Sequence, residues 1–222
     1  MKVSFVIPVR DGAAYISQAV ESLLGQTRPP DEIIVIDDGS TDDGPVLAAH
    51  YGPPVIVASQ RPLGIAAARN HGIRLAGGDV IGFLDADDVA PPGRLAAQVA
   101  ALEDDPRLGG VTGLIEEFMT EGEVTPDGVR APLSTRPARL SGALLVRRSA
   151  LDEVGPFGEG TGRGEGLDWF VRAQDAGIRI EAIPHLVLRR RLHDANYGIS
   201  PGGEAEYLAV LKASLDRRRG GG

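Results

Sequence analysis

Two groups of aspartate residues each come directly after a hydrophobic, β-branched stretch of the sequence. The first group is Asp37-Asp38, and the second is Asp85-Ala86-Asp87-Asp88. Carboxylate oxygens are the ligands that hard divalent cations such as Mg²⁺ and Mn²⁺ prefer. The alternative for each group is an ordinary acidic turn. For the first group it includes an Asx turn, with Asp38 or Ser40 capping the next helix.

The chemistry of these groups suits a nucleoside diphosphate. Asp87 and Asp88 are the better candidates to bind a Mn²⁺ or Mg²⁺ ion, which would neutralise the charge of a diphosphate leaving group. Asp85 is a candidate to hold either a ribose hydroxyl or a water molecule on that ion. The carboxylate of Asp38 can accept the N3–H of a uracil ring, a directional contact that rejects cytosine.

The elements that carry these aspartates alternate between strand and helix. Continuous hydrophobic runs predict buried strands, and amphipathic stretches predict helices between them. This alternation predicts an α/β fold, with a mostly parallel sheet flanked by helices on both faces. Ligands bind such sheets at the carboxyl ends of the strands, so both acidic groups are expected to face one crevice. The predicted strands are Val3–Val9, Glu32–Ile36, Pro54–Ser59 and Asp79–Leu84, and the predicted helices are 16–24, Pro45–His50 and Gly64–Ala76.

The pattern is less regular after residue 92. A helix is predicted at Arg94–Leu102, and 111–146 is expected to be irregular, with a loop at Glu121–Pro137. No repeat and no linker divides the chain, which favours a single domain. The other predicted elements are strands at Leu140–Val146, Ile178–Ile183 and Leu186–Leu188, and helices at Asp168–Gly177 and Glu204–Arg218.

The composition excludes several classes of protein. The formal net charge of −8 argues against nucleic acid or an anionic membrane as a partner, since either requires a basic face. The chain has no cysteine, which excludes disulfides and thiolate metal sites. No hydrophobic run approaches the roughly 18 residues of a transmembrane segment, and the N-terminal run is too short for a signal peptide. A cytoplasmic location is therefore expected.

Four segments, in their order and spacing, resemble the signatures of the inverting family 2 glycosyltransferases, which have the GT-A fold. The resemblance continues through Ser141–Phe157, Gly164–Gly177 and the basic segment near residue 190. It implies an enzyme that moves a sugar from a nucleotide diphosphate sugar, with a UDP-sugar favoured, to an acceptor. The four segments are Ile7–Arg10, Ile36–Asp42, Gly64–Gly72 and Phe83–Asp88.

The resemblance also assigns roles to particular residues and implies Mn²⁺ or Mg²⁺ as the cofactor. Val9 stands where the family often has threonine, and Arg10 where asparagine is common, so neither side chain is assigned a contact with the base. The residues that the resemblance places around the donor are Pro8, Val9 and Asp38 at the base, Arg69 near the base or ribose, and Asp85 and Asp87 as the metal motif.

A carboxylate near the start of a late helix is the base that many members of this family use for a single in-line displacement. The segment Gly164–Arg172 resembles the family's Glu-Asp-x-Asp-x-x-x-Arg pattern, with Gly166 in place of the second acid. Either Glu165 or Asp168 is the base, or the acceptor needs little help, as a thiol would, or transfer activity has been lost. Asp168 ranks ahead of Glu165, because Trp169 beside it would form an aromatic wall of the pocket. The alternative is that both acids only favour the helix N-terminus through its dipole.

Three consecutive arginines and a histidine follow a hydrophobic run near residue 190. In a strand, Arg189 and Arg191 would point to one side and Arg190 to the other, and a planar guanidinium suits a diphosphate. The resemblance assigns His193 to the metal or the diphosphate. The alternative is a solvated edge strand with a surface histidine. Residues 194–203 are expected to form a lid that orders when the donor binds.

Residues 1–203 are expected to form one GT-A domain, followed by a helix and tail at 204–222. Within it, 1–92 would bind the nucleotide sugar and 93–203 the acceptor, which is a saccharide, peptide, small molecule or lipid carrier. The sequence is compatible with a homodimer and does not fix the oligomeric state.

The sequence also allows two alternatives to a glycosyltransferase. A nucleotidyltransferase is disfavoured, because no glycine-rich loop follows the first strand. A non-catalytic sugar-nucleotide-binding protein is supported by Gly166 alone. The missing Gly-x-Gly-x-x-Gly and P-loop motifs argue against a dehydrogenase and a P-loop enzyme.

Overall fold

The computed structural model describes residues 1–119, 135–160, 162–193 and 212. The predicted lid at 194–203 lies outside the described residues, as do most of the predicted loop Glu121–Pro137 and almost all of the predicted helix Glu204–Arg218.

The described residues contain eight strands, six α-helices and two short 3-10 helices. The strands are β1 (Val3–Val9), β2 (Glu32–Asp37), β3 (Val55–Ser59), β4 (Val80–Phe83), β5 (Leu108–Phe118), β6 (Arg136–Ala138), β7 (Leu145–Arg147) and β8 (Arg179–Arg191). The α-helices are α1 (Ile16–Leu24), α2 (Gly44–Ala49), α3 (Ile65–Leu75), α4 (Arg94–Asp104), α5 (Arg148–Val154) and α6 (Glu165–Asp175). The 3-10 helices are Ser141–Ala143 and Gly162–Gly164.

The first four strands pair in parallel, as the sequence predicts. Their order is β3-β2-β1-β4, and each neighbouring pair is parallel. β1 is buried along its whole length, which explains why its sequence is continuously hydrophobic and does not alternate. Because these strands run in the same direction, the loops that follow β1, β2 and β4 meet at one edge of the sheet.

Helices cover both faces of the sheet and bury alternate strand residues. Phe5 and Ile7 of β1 belong to one hydrophobic cluster with α1, α2 and α4. Val6, on the other face, belongs to a second cluster with α3, α5 and α6. A methyl group at Gly72 would clash with Val6, so this glycine allows α3 to lie close to β1. The depth at which α3 packs also sets the position of Arg69, which this helix carries.

Much of the second half of the sheet is not evident from the sequence. The segment expected to be irregular begins within β5, a strand of 11 residues that includes three glycines. A Cβ atom on Gly113 would lie 2.6 Å from the carbonyl oxygen of His185, so glycine is needed where β8 pairs with β5. The predicted strand Leu140–Val146 is wrong in its first part, which contains the 3-10 turn Ser141–Ala143; the strand begins only at Leu145. The helix α5 was not predicted.

The two short strands predicted at Ile178–Ile183 and Leu186–Leu188 are a single strand, β8. Pro184 separates the two predicted strands, but the register with β5 shifts between Thr112 and Leu114, and this bulge accommodates the proline. The full order is β3-β2-β1-β4-β7-β5-β6, with β8 also paired to β5. No helix within the described part of the chain has the length and apolar character needed to cross a bilayer.

Candidate functional site

Aspartate side chains tie the loop after β1 to the loop after β2. The carboxylate of Asp11 accepts the N–H of Thr41 at 2.7 Å, and that of Asp42 accepts the N–H of Ala13 at 2.7 Å. The bond from Thr41 is the main cause of a lowered pKa at Asp11. Asp11 was not singled out from the sequence, because a lone aspartate in a turn does not reveal its partner.

Asp38 is buried, and its carboxylate shapes the loop that leads into α3. Oδ1 accepts bonds from the Gln60 amide and the Leu63 N–H, and Oδ2 accepts the Gly64 N–H, each at 2.8 Å. A carboxylate has about four acceptor positions, and the bonds from described residues fill three of them, which leaves one for a further donor such as a base N–H.

The other predicted base contacts lie in β1. Pro8 and Val9 are buried, and the Val9 carbonyl accepts the N–H of Asp38 at 2.8 Å. Their side chains therefore belong to the core, and their backbone lies beside Asp38. The Asx turn after β2 is formed by Asp37, whose Oδ1 accepts the N–H of Ser40 at 2.8 Å, and α2 has no side-chain cap.

Asp38 and the loop Asp85–Asp88 lie at the same edge of the sheet. Asp38 follows β2, the loop follows β4, and β1 lies between these two parallel strands. Neighbouring strands are about 4.8 Å apart, so the two loops begin roughly 10 Å from each other. The two groups thus share one edge of the sheet, and a common crevice between them stays a prediction.

Asp87 is paired with the predicted histidine. Its Oδ2 lies 3.0 Å from Nε2 of His193, and the His193 ring packs against Tyr15 with the ring centroids 5.0 Å apart. Burial, and then the negative charge of Asp85, raise the pKa of Asp87. The carboxylate is thus held in a place where its charge is poorly compensated by the protein.

Asp88 belongs to a clamp that joins the same loop to β8. Its Oδ1 accepts the backbone N–H of Arg191 at 2.9 Å, and the Arg191 Nε–H donates to the Asp87 carbonyl at 2.9 Å. Val89 and Arg189 exchange two backbone bonds of 2.9 Å each. Burial, together with the neighbouring Asp87, raises the pKa of Asp88 well above its ordinary value. The Asp88 carboxylate, a predicted metal ligand, therefore lies inside the fold against β8.

The pair of Asp87 and His193 fits a divalent cation bound to a diphosphate. Within the residues that the structure describes, no group of three or more His, Cys, Asp or Glu side chains could hold a metal ion. Mg²⁺ in such sites commonly uses one or two carboxylates and takes its other ligands from water and substrate phosphates. A cation beside Asp87 would also offset the burial that raises its pKa.

Two buried arginines lie beneath the acidic loop. Arg69 is 2% exposed; it donates to Oδ1 of Asp85 at 2.5 Å and to Oε1 of Glu165. Arg94 has no exposed surface and donates to the carbonyl of Phe83 at 3.0 Å. Burial lowers the pKa of Arg94 to about 9, so it stays protonated at neutral pH. Arg94 was not predicted, because a helix pattern does not reveal which charged side chain turns inward.

The two acids at the start of α6 have different partners. Oε1 of Glu165 pairs with Arg69 and lies 3.5 Å from the Ser141 hydroxyl. Oδ2 of Asp168 accepts a bond from Arg172 at 2.8 Å, and Arg172 also donates to two carbonyls of the segment that ends α5. Glu165 is thus linked to the acidic loop, whereas Asp168 is linked to the loop that precedes its own helix.

Trp169 is a core residue. It has no exposed surface, packs against Phe157 and Phe170, and donates its indole N–H to the carbonyl of Gly155 at 3.1 Å. The aromatic wall predicted beside Asp168 is therefore wrong: the indole contributes to stability and does not line a pocket.

Ser141 occupies the space beside Gly166. A Cβ atom on Gly166 would clash with the Ser141 hydroxyl oxygen. A larger residue at position 166 would therefore turn away the Ser141 hydroxyl, which also lies next to Glu165.

The arginines of β8 alternate as predicted. The guanidinium groups of Arg189 and Arg191 each lie 4.6 Å from the centroid of the Phe118 ring, whereas Arg190 pairs with Glu117 at 3.6 Å. Arg189 also bonds to a second glutamate of β5. A contact of Arg189 or Arg191 with a diphosphate stays a prediction.

Comparison with known proteins identifies relatives along most of the chain. The profile of Glycosyl transferase family 2 matches residues 4–155. The chain is 30% identical to chondroitin synthase of Escherichia coli, over 97% of this chain and 33% of that protein. It is 32% identical to the succinoglycan biosynthesis protein ExoU of Rhizobium meliloti (strain 1021), over 82% of this chain and 59% of that protein. The chain thus spans about a third of the length of the synthase.

Solved structures share the fold. TarS of S. aureus in complex with UDP-GlcNAc superposes with a TM-score of 0.74 at 21% identity, over 96% of this chain and 65% of that one. The mannosyltransferase PcManGT of Pyrobaculum calidifontis, in complex with GDP-Man and Mn²⁺, gives a TM-score of 0.74 at 21% identity, over 97% and 64%. The predicted α/β architecture, a mostly parallel sheet between layers of helices, is confirmed.

Proposed function

We propose, from the premise that this chain belongs to glycosyl transferase family 2, that it transfers a sugar from a nucleotide diphosphate sugar to an acceptor with inversion at the anomeric carbon. The observation that carries the proposal is a group of side chains on neighbouring loops: Asp38, Asp87 with His193, and Glu165. This group offers a contact for a base, a place for a cation and a carboxylate that can accept a proton.

A UDP-sugar is the preferred donor. The remaining acceptor position of Asp38 suits the single N3–H of uracil. The structure of TarS with UDP-GlcNAc supports this choice, and that of PcManGT with GDP-Man makes a GDP-sugar the necessary comparison.

Asp87 and His193 would hold a Mn²⁺ or Mg²⁺ ion against the diphosphate. Such an ion neutralises the charge that develops on the leaving group. Asp85 would hold a ribose hydroxyl or a water molecule through Oδ2, since Oδ1 is bonded to Arg69. Arg189 and Arg191, at the end of β8, would add positive charge behind the diphosphate.

Glu165 is the better candidate for the base. Inversion by one displacement requires a carboxylate on the acceptor side that removes the proton of the attacking group. Glu165 is linked through Arg69 to Asp85, whereas Asp168 is bonded to Arg172 and so to the loop after α5. These contacts reverse the order of the two acids inferred from the sequence.

Donor hydrolysis and thermal stability together test the proposal. The protein would be incubated with UDP-glucose, UDP-GlcNAc and GDP-mannose, with Mn²⁺ or EDTA, and the release of nucleoside diphosphate and the Tm measured. We expect one UDP-sugar to raise the Tm with Mn²⁺ only and to be slowly hydrolysed. The proposal would be contradicted if no donor raised the Tm and no donor was hydrolysed.

A non-catalytic sugar-nucleotide-binding protein is the second candidate, and the absence of a side chain at Gly166 favours it. The same experiment separates the two functions. A metal-dependent increase in Tm without release of nucleoside diphosphate, repeated with candidate acceptors, would favour binding alone.

A further inference from the structure

We propose that Arg69 is a positioning residue, which joins the acid on the donor side, Asp85, to the acid on the acceptor side, Glu165, and so fixes their separation. The inference rests on the proposed function for the roles of the two carboxylates. It gives Arg69 a different role from the contact with the base or ribose that the family resemblance implies.

The contacts of Arg69 join three separate elements. The side chain extends from α3; one terminal nitrogen, Nη2, donates to Oδ1 of Asp85 at 2.5 Å, and the other, Nη1, donates to Oε1 of Glu165. Asp85 follows β4, and Glu165 begins α6. Because the two nitrogens belong to one rigid plane, the two carboxylates are held at adjacent corners of the same group.

The guanidinium itself has little freedom to move. Arg69 is 2% exposed and lies over the ring of Phe157, 5.8 Å from its centroid. The next residue, Asn70, holds the backbone of Phe157 through two hydrogen bonds of 2.9 Å. Nε of Arg69 is buried and has no hydrogen-bond partner among the described residues. A buried donor without a partner is unfavourable. The contacts of the two terminal nitrogens with Glu165 and Asp85 offset this cost.

The pairing leaves one oxygen of each carboxylate for the reaction. Arg69 occupies Oδ1 of Asp85 and Oε1 of Glu165, and the bonds found among the described residues do not involve the second oxygen of either acid. A single positive charge between two carboxylates also reduces their mutual repulsion. Arg69 therefore sets both the spacing and the orientation of the acids.

The test compares Arg69→Lys and Arg69→Ala with a matched control, Arg74→Lys, on the exposed side of the same helix. Lysine keeps the charge but cannot bond to two carboxylates in one plane. We expect Arg69→Lys to lower kcat for donor hydrolysis on the order of 100-fold, the effect of a displacement of about 1 Å, with a much smaller change in the Kd of the donor. Millimolar guanidinium should restore part of the turnover of Arg69→Ala, whereas methylammonium should not.

A second measurement does not depend on activity. The chain has one tryptophan, Trp169, which lies one turn from Glu165 on α6, so its fluorescence reports on the position of that helix. We expect acrylamide to quench Trp169 more strongly in Arg69→Ala than in the unmodified protein or Arg74→Lys, and guanidinium to reverse the change.

The outcomes separate the two proposals. Unchanged quenching in Arg69→Ala, or equal losses of kcat and donor affinity without rescue by guanidinium, would overturn the positioning role. If the unmodified protein releases no nucleoside diphosphate from any donor, the proposed function fails. In that case the quenching experiment still decides whether Arg69 positions α6.

Discussion

The two acids of α6 differ in the residue that each one contacts, and this contact distinguishes their expected roles. Glu165 and Asp168 lie one turn apart on the same helix and are both nearly buried. Their partners, Arg69 and Arg172, lead to different parts of the fold. From the sequence the two were close alternatives, because the helical period places both near one face but does not show what that face contacts.

Substitution of each acid should therefore have a different effect. Glu165→Gln should lower transfer at least about 100-fold, the scale of general base catalysis, and should also lower the Tm somewhat, because buried Arg69 loses one of its two charged partners and keeps only Asp85. Asp168→Asn leaves Arg172 without its charged partner and should cost about 1–3 kcal/mol of stability, with most activity retained. Steady-state rates and thermal unfolding measure the two effects. Loss of turnover in Asp168→Asn at an unchanged Tm would restore Asp168 as the base.

The environment of Asp87 predicts a pH dependence of stability. Burial and Asp85 raise its pKa, while the bond to His193 acts in the opposite direction. The folded chain therefore retains the proton to a higher pH than the unfolded chain, whose aspartates titrate at about pH 3.9. It follows that stability without metal falls as the pH rises above about 4, until the raised pKa is passed.

The Tm in EDTA, measured between about pH 4 and 7, should fall more steeply for the unmodified protein than for Asp87→Asn, which lacks the titrating group. Mn²⁺ should remove the difference by binding the ionised carboxylate, so its effect on the Tm should grow with pH. Parallel curves for the two proteins in EDTA would show that Asp87 is not destabilised by burial.

At the scale of elements, the predicted half of the fold is the half whose strands are buried on both faces. β1, β2 and β4 are runs of large apolar residues, and the parallel topology then places the acids after β2 and β4 on one edge. β5 was missed and β8 was divided into two strands. Their glycines and Pro184 disfavour a strand locally, and they are tolerated because of the close approach and the bulge between the two strands. The buried ion pairs of Arg69 likewise depend on tertiary packing, since they join residues 16 and 96 positions apart in the sequence.

The clamp between the acidic loop and β8 positions His193, and Arg191 is its main side chain. It donates to the Asp87 carbonyl, and its backbone N–H bonds to Asp88. Arg191→Ala should weaken Mn²⁺ binding in the presence of the donor on the order of 10–100-fold, as expected when a residue that orients a metal ligand is lost. Calorimetry would measure this, with Arg190→Ala, which removes a pair with Glu117 on the other side of the strand, as the control. Equal affinity in both variants would contradict the role of the clamp.

The contact between Gly166 and Ser141 also belongs to this scale, because it sets how closely α6 approaches the turn before β7. Gly166→Ala makes the Ser141 hydroxyl turn away, and the cost should offset the gain of about 1 kcal/mol that alanine gives a helix over glycine. Ser141→Ala removes the clashing hydroxyl, so the double variant should show the full gain from alanine. Chemical denaturation of the four proteins gives the coupling energy, and additive effects would show that the two residues do not compete for space.

At the scale of the whole molecule, binding of the donor and the metal should raise the free energy of unfolding. The site is formed by loops from both halves of the chain, so a ligand that binds there opposes unfolding of the entire sheet. At a donor concentration of 100 times Kd the stabilisation is about 2.7 kcal/mol. For a chain of this size that corresponds to an increase in Tm of about 5–10 °C, measured with and without Mn²⁺. A metal-dependent increase of the same size in Asp87→Asn would show that Asp87 does not hold the metal.

The close packing of Gly166 against Ser141 also constrains how this site can change over generations. An aspartate at position 166 would complete the acidic pattern that this segment resembles, but its Cβ would meet the Ser141 hydroxyl where that group now lies. The two positions are therefore coupled: an acid at 166 requires that the hydroxyl turn away, or that position 141 carry a residue without one.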